Sequence, residues 1–255
     1  MATACFRFYE ELNDFLTAEK RKRDNTVHFD QRNSVKDFIE AMGVPHTEVD
    51  LILVNGEPVD FSYIVLQNDR ISVYPVFETL DISPLNRLRP EPLRKPRFVL
   101  DTHLGKLARY LRLLGFDTLY DNHYTDAELT DISDSGEKRI LLTRDKGLLK
   151  RKRITHGYFV RETNPERQTS EVLKRFDLSG SAKPFSRCLS CNAILTVMPL
   201  EDAVNRVPPG VRERHQEFAA CPDCRRAYWK GSHYHRLREL VVSLLDASSP
   251  ERPGS

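Results

Sequence analysis

Short runs of alternating apolar and polar residues make up the N-terminal third of the chain. They predict strands at residues 4–9, 26–29, 51–54 and 71–77, with Asn55-Gly56 as a hairpin turn. Ser34 is a typical N-cap, and the helix after it places Val35, Phe38, Ile39 and Met42 on one face and ends at Gly43. This order of elements predicts a ubiquitin-like β-grasp domain over residues 1–82.

Residues 83–96 contain four prolines among several basic residues. Proline interrupts both helices and sheet ladders, and the charges keep the segment in water. We therefore expect a linker here.

After residue 96 short apolar strands alternate with helices. The strands are predicted at residues 97–100, 116–120, 139–143 and 157–160. The first helix, residues 104–114, is predicted to turn Leu107, Ala108, Leu111 and Leu114 inward and Lys106, Arg109 and Arg112 outward, and to end at Gly115. Thr125 is the expected N-cap of the next helix. This alternation predicts an α/β core over residues 97–180, with a parallel sheet and helices on both faces.

Four of the five cysteines form two C-x-x-C pairs, Cys188/Cys191 and Cys221/Cys224, separated by 29 residues. Thiolates at this spacing close a tetrahedron around one zinc ion, so a structural zinc ribbon is predicted over residues 181–245, together with a C-terminal helix. Redox pairs or disulfides are the alternatives. Residues 246–255 are expected to form a disordered tail.

Composition places the chain among ordinary globular proteins, with 40% apolar and 30% charged residues. No apolar run approaches the roughly 18 residues of a membrane helix, and the N-terminus lacks the pattern of a signal peptide. We expect a cytoplasmic protein without a membrane partner. Reduced thiols in that compartment favour metal over disulfides and leave Cys5 as a small apolar residue.

The net charge of +2 is divided unequally. Residues 1–85 carry 8 Lys and Arg against 15 Asp and Glu, a net of −7, so the other 170 residues carry +9. A basic body attracts polyanions such as RNA, whereas an acidic domain faces a protein or shields the basic surface. A plain solvated surface is the alternative.

Three aspartates stand where the predicted strands end or helices begin: Asp101, Asp126 and Asp145. Ligand sites of open α/β sheets lie outside the carboxyl ends of the strands, and carboxylates gathered there favour Mg²⁺ or Mn²⁺. Such an ion activates water for attack on phosphorus. The alternative is that each aspartate only caps its own helix.

Basic side chains accompany these acids. Lys106, Arg109, Arg144 and Lys146 are candidate phosphate ligands at the rim of the metal site. Beside the ribbon, Arg225, Arg226 and Lys230 alternate with Tyr228 and Trp229, a composition suited to unpaired RNA bases. Packing of both aromatic residues over the zinc site is the alternative. The basic run of residues 146–153 suits a phosphate backbone or a solvated helix face.

Residues 98–117, Phe98-Val99-Leu100-Asp101 onward, resemble the opening of the PIN-like RNase domain first described at the C-terminus of the Mut-seven exonuclease. The resemblance continues through Arg139-Ile140-Leu141-Leu142-Thr143-Arg144-Asp145 and the ribbon to Tyr228-Trp229-Lys230-Gly231-Ser232-His233. It implies metal-dependent RNA cleavage with acidic positions at Asp101, Asp126 and Asp145. Asp121, Glu128 and Asp131 are rivals for a fourth acidic position. Bacterial members are similar in placing a ubiquitin-like domain in front.

Residues 49–56 and 68–75 resemble the sulfur carriers of molybdopterin and thiamine synthesis. Those carriers react through a terminal Gly-Gly, whereas here Pro75-Val76-Phe77-Glu78 runs on into the linker. Carrier chemistry is therefore not expected. We expect instead a role in docking a protein partner or in shielding RNA.

The sequence predicts a ribonuclease with zinc as structural cofactor and Mg or Mn as catalytic cofactor. Its expected substrate is RNA, with tRNA, rRNA and other structured RNA as candidate forms. The alternatives are a non-catalytic RNA-binding adaptor that uses the basic core and the ribbon, and a protein-interaction module acting through the ubiquitin-like domain.

Overall fold

The computed structural model describes residues 1–75, Leu88 and residues 96–248. Its strands are β1 (Ala2–Phe8), β2 (Asn25–Phe29), β3 (Leu51–Val54), β4 (Glu57–Val59), β5 (Arg70–Tyr74), β6 (Phe98–Leu100), β7 (Thr118–Leu119), β8 (Ile140–Thr143), β9 (Gly157–Phe159), β10 (Thr196–Met198), β11 (Phe218–Ala220) and β12 (Ala227–Trp229). Its α-helices are α1 (Val35–Ala41), α2 (Gly105–Leu113), α3 (Asp126–Asp134), α4 (Lys146–Leu149), α5 (Pro165–Arg175), α6 (Leu200–Ala203), α7 (Pro209–Arg212) and α8 (Ser232–Ser248).

The chain divides into two compact units. The first consists of Met1–Lys95 and Thr130–Phe159, and the second of Pro96–Leu129 and Val160–Ser255. Residues 130–159 of the predicted α/β core thus belong to the same unit as the N-terminal domain.

The N-terminal domain is a five-stranded sheet with the order β2-β1-β5-β3-β4. Strands β1 and β5 pair in parallel, with Phe6 beside Ile71, and the other neighbours are antiparallel. Fully buried side chains from the sheet and from α1, including Ile39, fill the core, and Leu88 packs against it. The predicted β-grasp fold is confirmed.

Local signals explain the main turns of this domain. The Ser34 hydroxyl accepts a hydrogen bond from the Asp37 amide, and the Asp37 carboxylate accepts one from the Ser34 amide, so a capping box begins α1. Asn55 and Gly56 both have positive φ, 51° and 93°, as a two-residue hairpin requires. The fifth strand ends at Tyr74, and residues 76 and 77 of the prediction lie outside the described residues.

Hydrogen bonds connect the N-terminal domain with residues 130–159 of the same unit. His46, a buried side chain, donates from Nε2 to the carbonyl oxygen of Ile154 at 2.9 Å. The carboxylate of Glu48, only 1% exposed, accepts a hydrogen bond from the amide of Phe159 at 2.6 Å. These contacts join positions more than a hundred residues apart in the chain.

The α/β part contains parallel strands and helices in the predicted alternation. In the second unit β6 pairs in parallel with β7, and in the first β8 pairs in parallel with β9. All residues of β6 and β8 are buried, as expected for strands of a parallel sheet. Helix α2 starts at Gly105, after a short 3₁₀ turn at Thr102–Leu104.

Helix α2 also corrects one prediction. Leu107, Ala108, Leu111 and Leu114 are buried as predicted. Arg112 was expected to face outward, but it is only 4% exposed. Its position one turn after Ala108 places it on the buried face, where its guanidinium finds backbone carbonyl groups.

The ribbon region is a three-stranded antiparallel sheet with the order β10-β11-β12. Its small core consists of Met198, Ala203, Val207, Phe218 and Ala220. The segment before it, residues 187–194, is closed by a bridge between Arg187 and Ile194, and we call it the first knuckle.

The C-terminal helix α8 continues to Ser248, so three residues of the predicted tail are helical. The rest of that tail, and the linker apart from Leu88 and Pro96, lie outside the described residues. No helix in the described ranges has both the length and the apolar character that crossing a lipid bilayer requires.

Candidate metal centre and nucleic-acid interface

The two C-x-x-C pairs converge, the first in the first knuckle and the second in the turn between β11 and β12. All four Sγ atoms lie within 4.8 Å of one another, with 3.5 Å from Cys188 to Cys224 and 3.2 Å from Cys191 to Cys221. Zinc with Zn–S bonds of about 2.3 Å requires tetrahedral sulfur atoms about 3.8 Å apart. The four thiols therefore fit one zinc ion. Among the described residues, no other group of three or more His, Cys, Asp or Glu side chains is as close.

The hydrogen bonds around the cluster favour the thiolate form of Cys188. Burial raises the pKa of this thiol, but the Tyr228 hydroxyl at 3.0 Å and the backbone amides of Cys191 and Ser190 outweigh burial and lower the pKa to about 6. Burial is the largest cause that raises the pKa of the other three thiols. Burial and the bond to Cys188 raise the pKa of Tyr228, so its hydroxyl keeps the proton that it donates.

Arg112 joins the first knuckle to helix α2. Its Nη1 donates to the carbonyl oxygens of Ser190 at 2.7 Å and Leu189 at 3.4 Å, and its Nε donates to that of Thr118 at 2.9 Å. Burial lowers the pKa of the guanidinium, and the charges of Cys188 and Cys191 oppose that change. Since the carbonyl groups surround the buried charge, the knuckle is fixed on the α/β part.

Asn192 provides a second connection. Its side-chain carbonyl accepts a hydrogen bond from the amide of Thr118 at 2.9 Å, and its amide group donates to Asp117 at 2.8 Å. The guanidinium of Arg187 donates to the carbonyl oxygen of Gly115 at 3.1 Å and lies 3.5 Å from the other oxygen of Asp117. The cysteine cluster is thus anchored at the C-terminal end of α2 and at β7.

The predicted acidic residues occupy the ends of strands and the starts of helices. Asp101 follows β6, and its Oδ1 accepts a hydrogen bond from the amide of Thr102 at 2.6 Å. Asp145 is the N-cap of α4, with Oδ1 2.7 Å from the amide of Gly147. Asp126 is the first residue of α3 and is exposed. Asp101 and Asp126 belong to the second unit and Asp145 to the first.

Each rival for a fourth acidic position has a local partner. Asp121 accepts from the amide of His123 at 2.9 Å, Glu128 accepts from the amide of Thr125 at 2.8 Å, and Asp131 pairs with Arg153 at 2.6 Å. The Thr125 hydroxyl accepts from the Glu128 amide in return at 3.3 Å, so Thr125 is the predicted N-cap and Glu128 completes its capping box. The geometry therefore gives all three acids structural roles.

The basic candidates differ in their surroundings. Lys106 and Arg109 on α2, and Arg225 and Arg226 before β12, are exposed and have no side-chain partner among the described residues. Arg144 is exposed as well. Lys230 pairs with Glu217, which raises the pKa of the lysine.

The basic run of residues 146–153 contacts the N-terminal domain. The ammonium group of Lys146 lies 4.9 Å from the ring centroid of Phe15 and 5.5 Å from that of Phe159. Lys150 donates to the carbonyl oxygen of Glu40 at 2.8 Å. These two lysines therefore serve the contact between the domains within the first unit.

Tyr228 and Trp229, the two aromatic residues of β12, contact different parts of the ribbon. Tyr228 covers the cysteine cluster through its bond to Cys188, whereas Trp229 packs against the ribbon core. The interpretation as a zinc-site roof therefore holds for Tyr228 alone. Arg112, Asn192 and Asp117 were not selected from the sequence, although the place of Arg112 in the apolar stripe of α2 was a signal.

The fold and the cysteine cluster define a protein with a ubiquitin-like domain, an α/β domain of parallel strands, and a ribbon whose four thiols could hold zinc. The models of two families match the chain, the Mut7-C RNAse domain over residues 96–241 and the Mut7-C ubiquitin domain over residues 1–81. Because the first of these covers more than half of the chain, this protein belongs to the Mut7-C RNAse domain family. No curated protein and no solved structure gives a significant match.

Proposed function

We propose that the protein is a metal-dependent ribonuclease that hydrolyses phosphodiester bonds of RNA. The observation that carries the proposal is the family match over residues 96–241, which indicates a nuclease-like domain. RNA as substrate agrees with the net charge of +9 outside residues 1–85.

In this proposal Asp101, Asp126 and Asp145 hold Mg²⁺ or Mn²⁺, because carboxylate oxygens are the ligands these hard cations prefer. When bound, such an ion would supply a Lewis acid and would activate water for attack on phosphorus. The capping bonds of Asp101 and Asp145 use Oδ1 and keep both side chains oriented. Lys106, Arg109 and Arg144 bind flanking phosphate groups, and Arg225, Arg226 and Lys230 extend the RNA-binding surface to the ribbon. Lys146 was also selected from the sequence, but its ammonium group lies over the rings of Phe15 and Phe159.

The cysteine cluster holds zinc in a structural role in this proposal. Four thiolates leave no open position for a substrate, so this ion would stabilise the ribbon and take no part in hydrolysis.

The test is cleavage of single-stranded and structured RNA with Mg²⁺ or Mn²⁺ by wild type and Asp101→Asn. Asparagine is as good an N-cap as aspartate, so this change removes the charge and keeps the turn. We expect a rate loss of roughly a hundredfold or more. Asp202→Asn, an exposed aspartate of α6, is the control and should retain the full rate. Equal rates for wild type and Asp101→Asn would refute the role of Asp101.

A non-catalytic RNA-binding adaptor is the second candidate. The capping bonds of Asp101 and Asp145 favour it, because they give both aspartates a role that needs no metal. The adaptor predicts RNA affinity that does not depend on Mg²⁺, and no cleavage products at any metal concentration.

A further inference from the structure

A cavity of about 280 Å³ opens between helix α2 and the first knuckle, within the second unit. It is lined by Arg109 of α2, by Leu189 and Ser190 of the knuckle, and by Arg226, Ala227 and Tyr228 at β12. Its volume is just below the ~300–1,000 Å³ of pockets for drug-sized ligands, which suits a ligand no larger than a single nucleotide.

The charges on its walls favour an anion. Arg109 and Arg226 come from distant parts of the chain, are exposed, and make no side-chain hydrogen bond or ion pair with any described residue. None of the described residues that line the cavity is acidic. Two guanidinium groups without a carboxylate partner are suited to bind the oxygen atoms of a phosphate group.

The remaining walls suit an aromatic base. Leu189 and Ala227 are apolar, and the ring of Tyr228 is held in place by the bond of its hydroxyl to Cys188. Proteins bind unpaired nucleotides by this combination of cationic groups for the phosphate and aromatic or apolar side chains for the base.

The cavity is also preformed. Arg112 donates to the carbonyl oxygens of Leu189 and Ser190, so a buried charge fixes this wall against the helix that carries Arg109. Little conformational entropy would be lost when a ligand enters, since the backbone around it is already ordered.

We propose that this cavity binds one nucleotide of single-stranded RNA, with the phosphate group between Arg109 and Arg226 and the base against Leu189 and Tyr228. The inference rests on the proposed function in taking RNA as the ligand. It adds a subsite formed jointly by α2 and the cysteine-bearing knuckle, so that the ribbon contributes directly to substrate binding.

The test uses the full-length, zinc-loaded protein in buffer without added Mg²⁺ or Mn²⁺. Fluorescence anisotropy measures the affinity for a labelled single-stranded oligouridylate and for a duplex RNA of equal length, at several salt concentrations. The double variant Arg109→Gln/Arg226→Gln should bind the single strand about tenfold more weakly or worse. The plot of log affinity against log salt concentration should become less steep, by about one unit of slope, because one phosphate contact is lost. The double variant should lose less affinity for the duplex RNA than for the single strand.

The matched control is Arg167→Gln/Arg238→Gln, which removes from the same unit two exposed arginines whose side chains have no hydrogen-bond or ion-pair partner among the described residues. If both double variants lose the same affinity, only total charge matters and the subsite does not exist. Equal losses for single strand and duplex would refute an unpaired nucleotide as the ligand. If the double variant melts at a lower temperature than its control, Arg226→Gln against Arg238→Gln makes the same comparison.

Cleavage is assayed separately with Mg²⁺ or Mn²⁺. A wild type that binds RNA but does not cut it would contradict the nuclease proposal and leave the binding comparison valid. A wild type that does not bind the single strand would overturn the subsite.

Discussion

The buried guanidinium of Arg112 donates a 2.7 Å hydrogen bond to the carbonyl oxygen of Ser190, 78 residues later in the chain. This bond connects a helix of the α/β part with the turn that carries Cys188 and Cys191. The same side chain also satisfies the carbonyl oxygen of Thr118. The cysteine cluster is therefore part of the packing of the second unit.

Replacing Arg112 with methionine should destabilise the protein by about 2–4 kcal/mol, because the buried carbonyl oxygen of Thr118 and the partly buried carbonyl oxygens of Leu189 and Ser190 lose their donor. Denaturant unfolding of the zinc-loaded protein measures the loss. Arg109→Met, one turn away on the exposed face, is the control and should change stability by less than about 0.5 kcal/mol. Similar values for both variants would show that the buried hydrogen bonds do not stabilise the knuckle.

Purified protein should contain about one zinc ion per chain, held by four thiolates. Cys191→Ser should lose most of it and lower the melting temperature, because zinc binding contributes free energy to folding. Metal analysis and thermal melts check both effects. Cys5→Ser, at the only cysteine outside the cluster, should keep its zinc. Full zinc content in Cys191→Ser would contradict the four-thiolate site.

Removing the hydroxyl of Tyr228 should raise the pKa of Cys188 from its value of about 6 toward the ordinary 9.0 of a thiol. Because the pKa of Cys188 is lower in the folded than in the unfolded protein, the thiolate stabilises the fold. This stabilisation is complete at pH values above the ordinary thiol pKa of 9.0 and is lost as the pH falls through about 6. Thiolate absorbance of zinc-free protein should therefore show one midpoint near 6 in wild type and a higher one in Tyr228→Phe. Zinc affinity of the variant should fall by roughly tenfold. Identical titration curves would refute the role of this hydrogen bond.

Glu48→Ala should weaken the contact between the N-terminal domain and β9, since the Glu48 carboxylate accepts a hydrogen bond from the amide of Phe159. We expect a stability loss of about 1–3 kcal/mol, from a partly buried amide left without its charged acceptor. Hydrogen exchange at the Phe159 amide should accelerate accordingly. Glu57→Ala, at an exposed position of β4, should leave this exchange unchanged. Equal protection in both variants would contradict the contact.

Gly115→Ala should destabilise the second unit by more than about 1 kcal/mol. Gly115 has a φ of 94°, and an added Cβ would overlap the carbonyl oxygen of Lys183. The added Cβ of Gly136→Ala meets no atom of the described part of the chain within 4 Å, so this change should be neutral or slightly stabilising. Thermal melts of the two variants provide the comparison. A neutral Gly115→Ala would show that the backbone adjusts at this position.

Local patterns predicted most of the fold. The N-cap at Ser34, the hairpin at Asn55-Gly56 and the end of α2 at Gly115 depend on neighbouring residues only, so the sequence contained the necessary signals. The cysteine cluster was predictable because the ligand spacing of zinc is restrictive.

Features that depend on distant residues were not predictable in this way. Arg112 carries a charge that suggests a surface position, and its burial becomes favourable because the carbonyl groups of Ser190, Leu189 and Thr118 accept its hydrogen bonds. The bond from His46 to Ile154 spans 108 residues, and no local pattern indicates it. Basic residues such as Lys230 were selected by charge, whereas their partners are set by the tertiary structure.

The hydrogen bond between Glu48 and the amide of Phe159 affects how the region matched by the Mut7-C RNAse family should be produced in the laboratory. A chain that starts at residue 96, where the family match begins, would lack the N-terminal domain. The carbonyl oxygen of Ile154 would lose its donor His46, and the ring of Phe159 would lose its contact with Phe15. Such a shortened chain should aggregate more readily than the whole one. An inactive preparation of it would therefore not contradict the proposed cleavage of RNA by the whole protein.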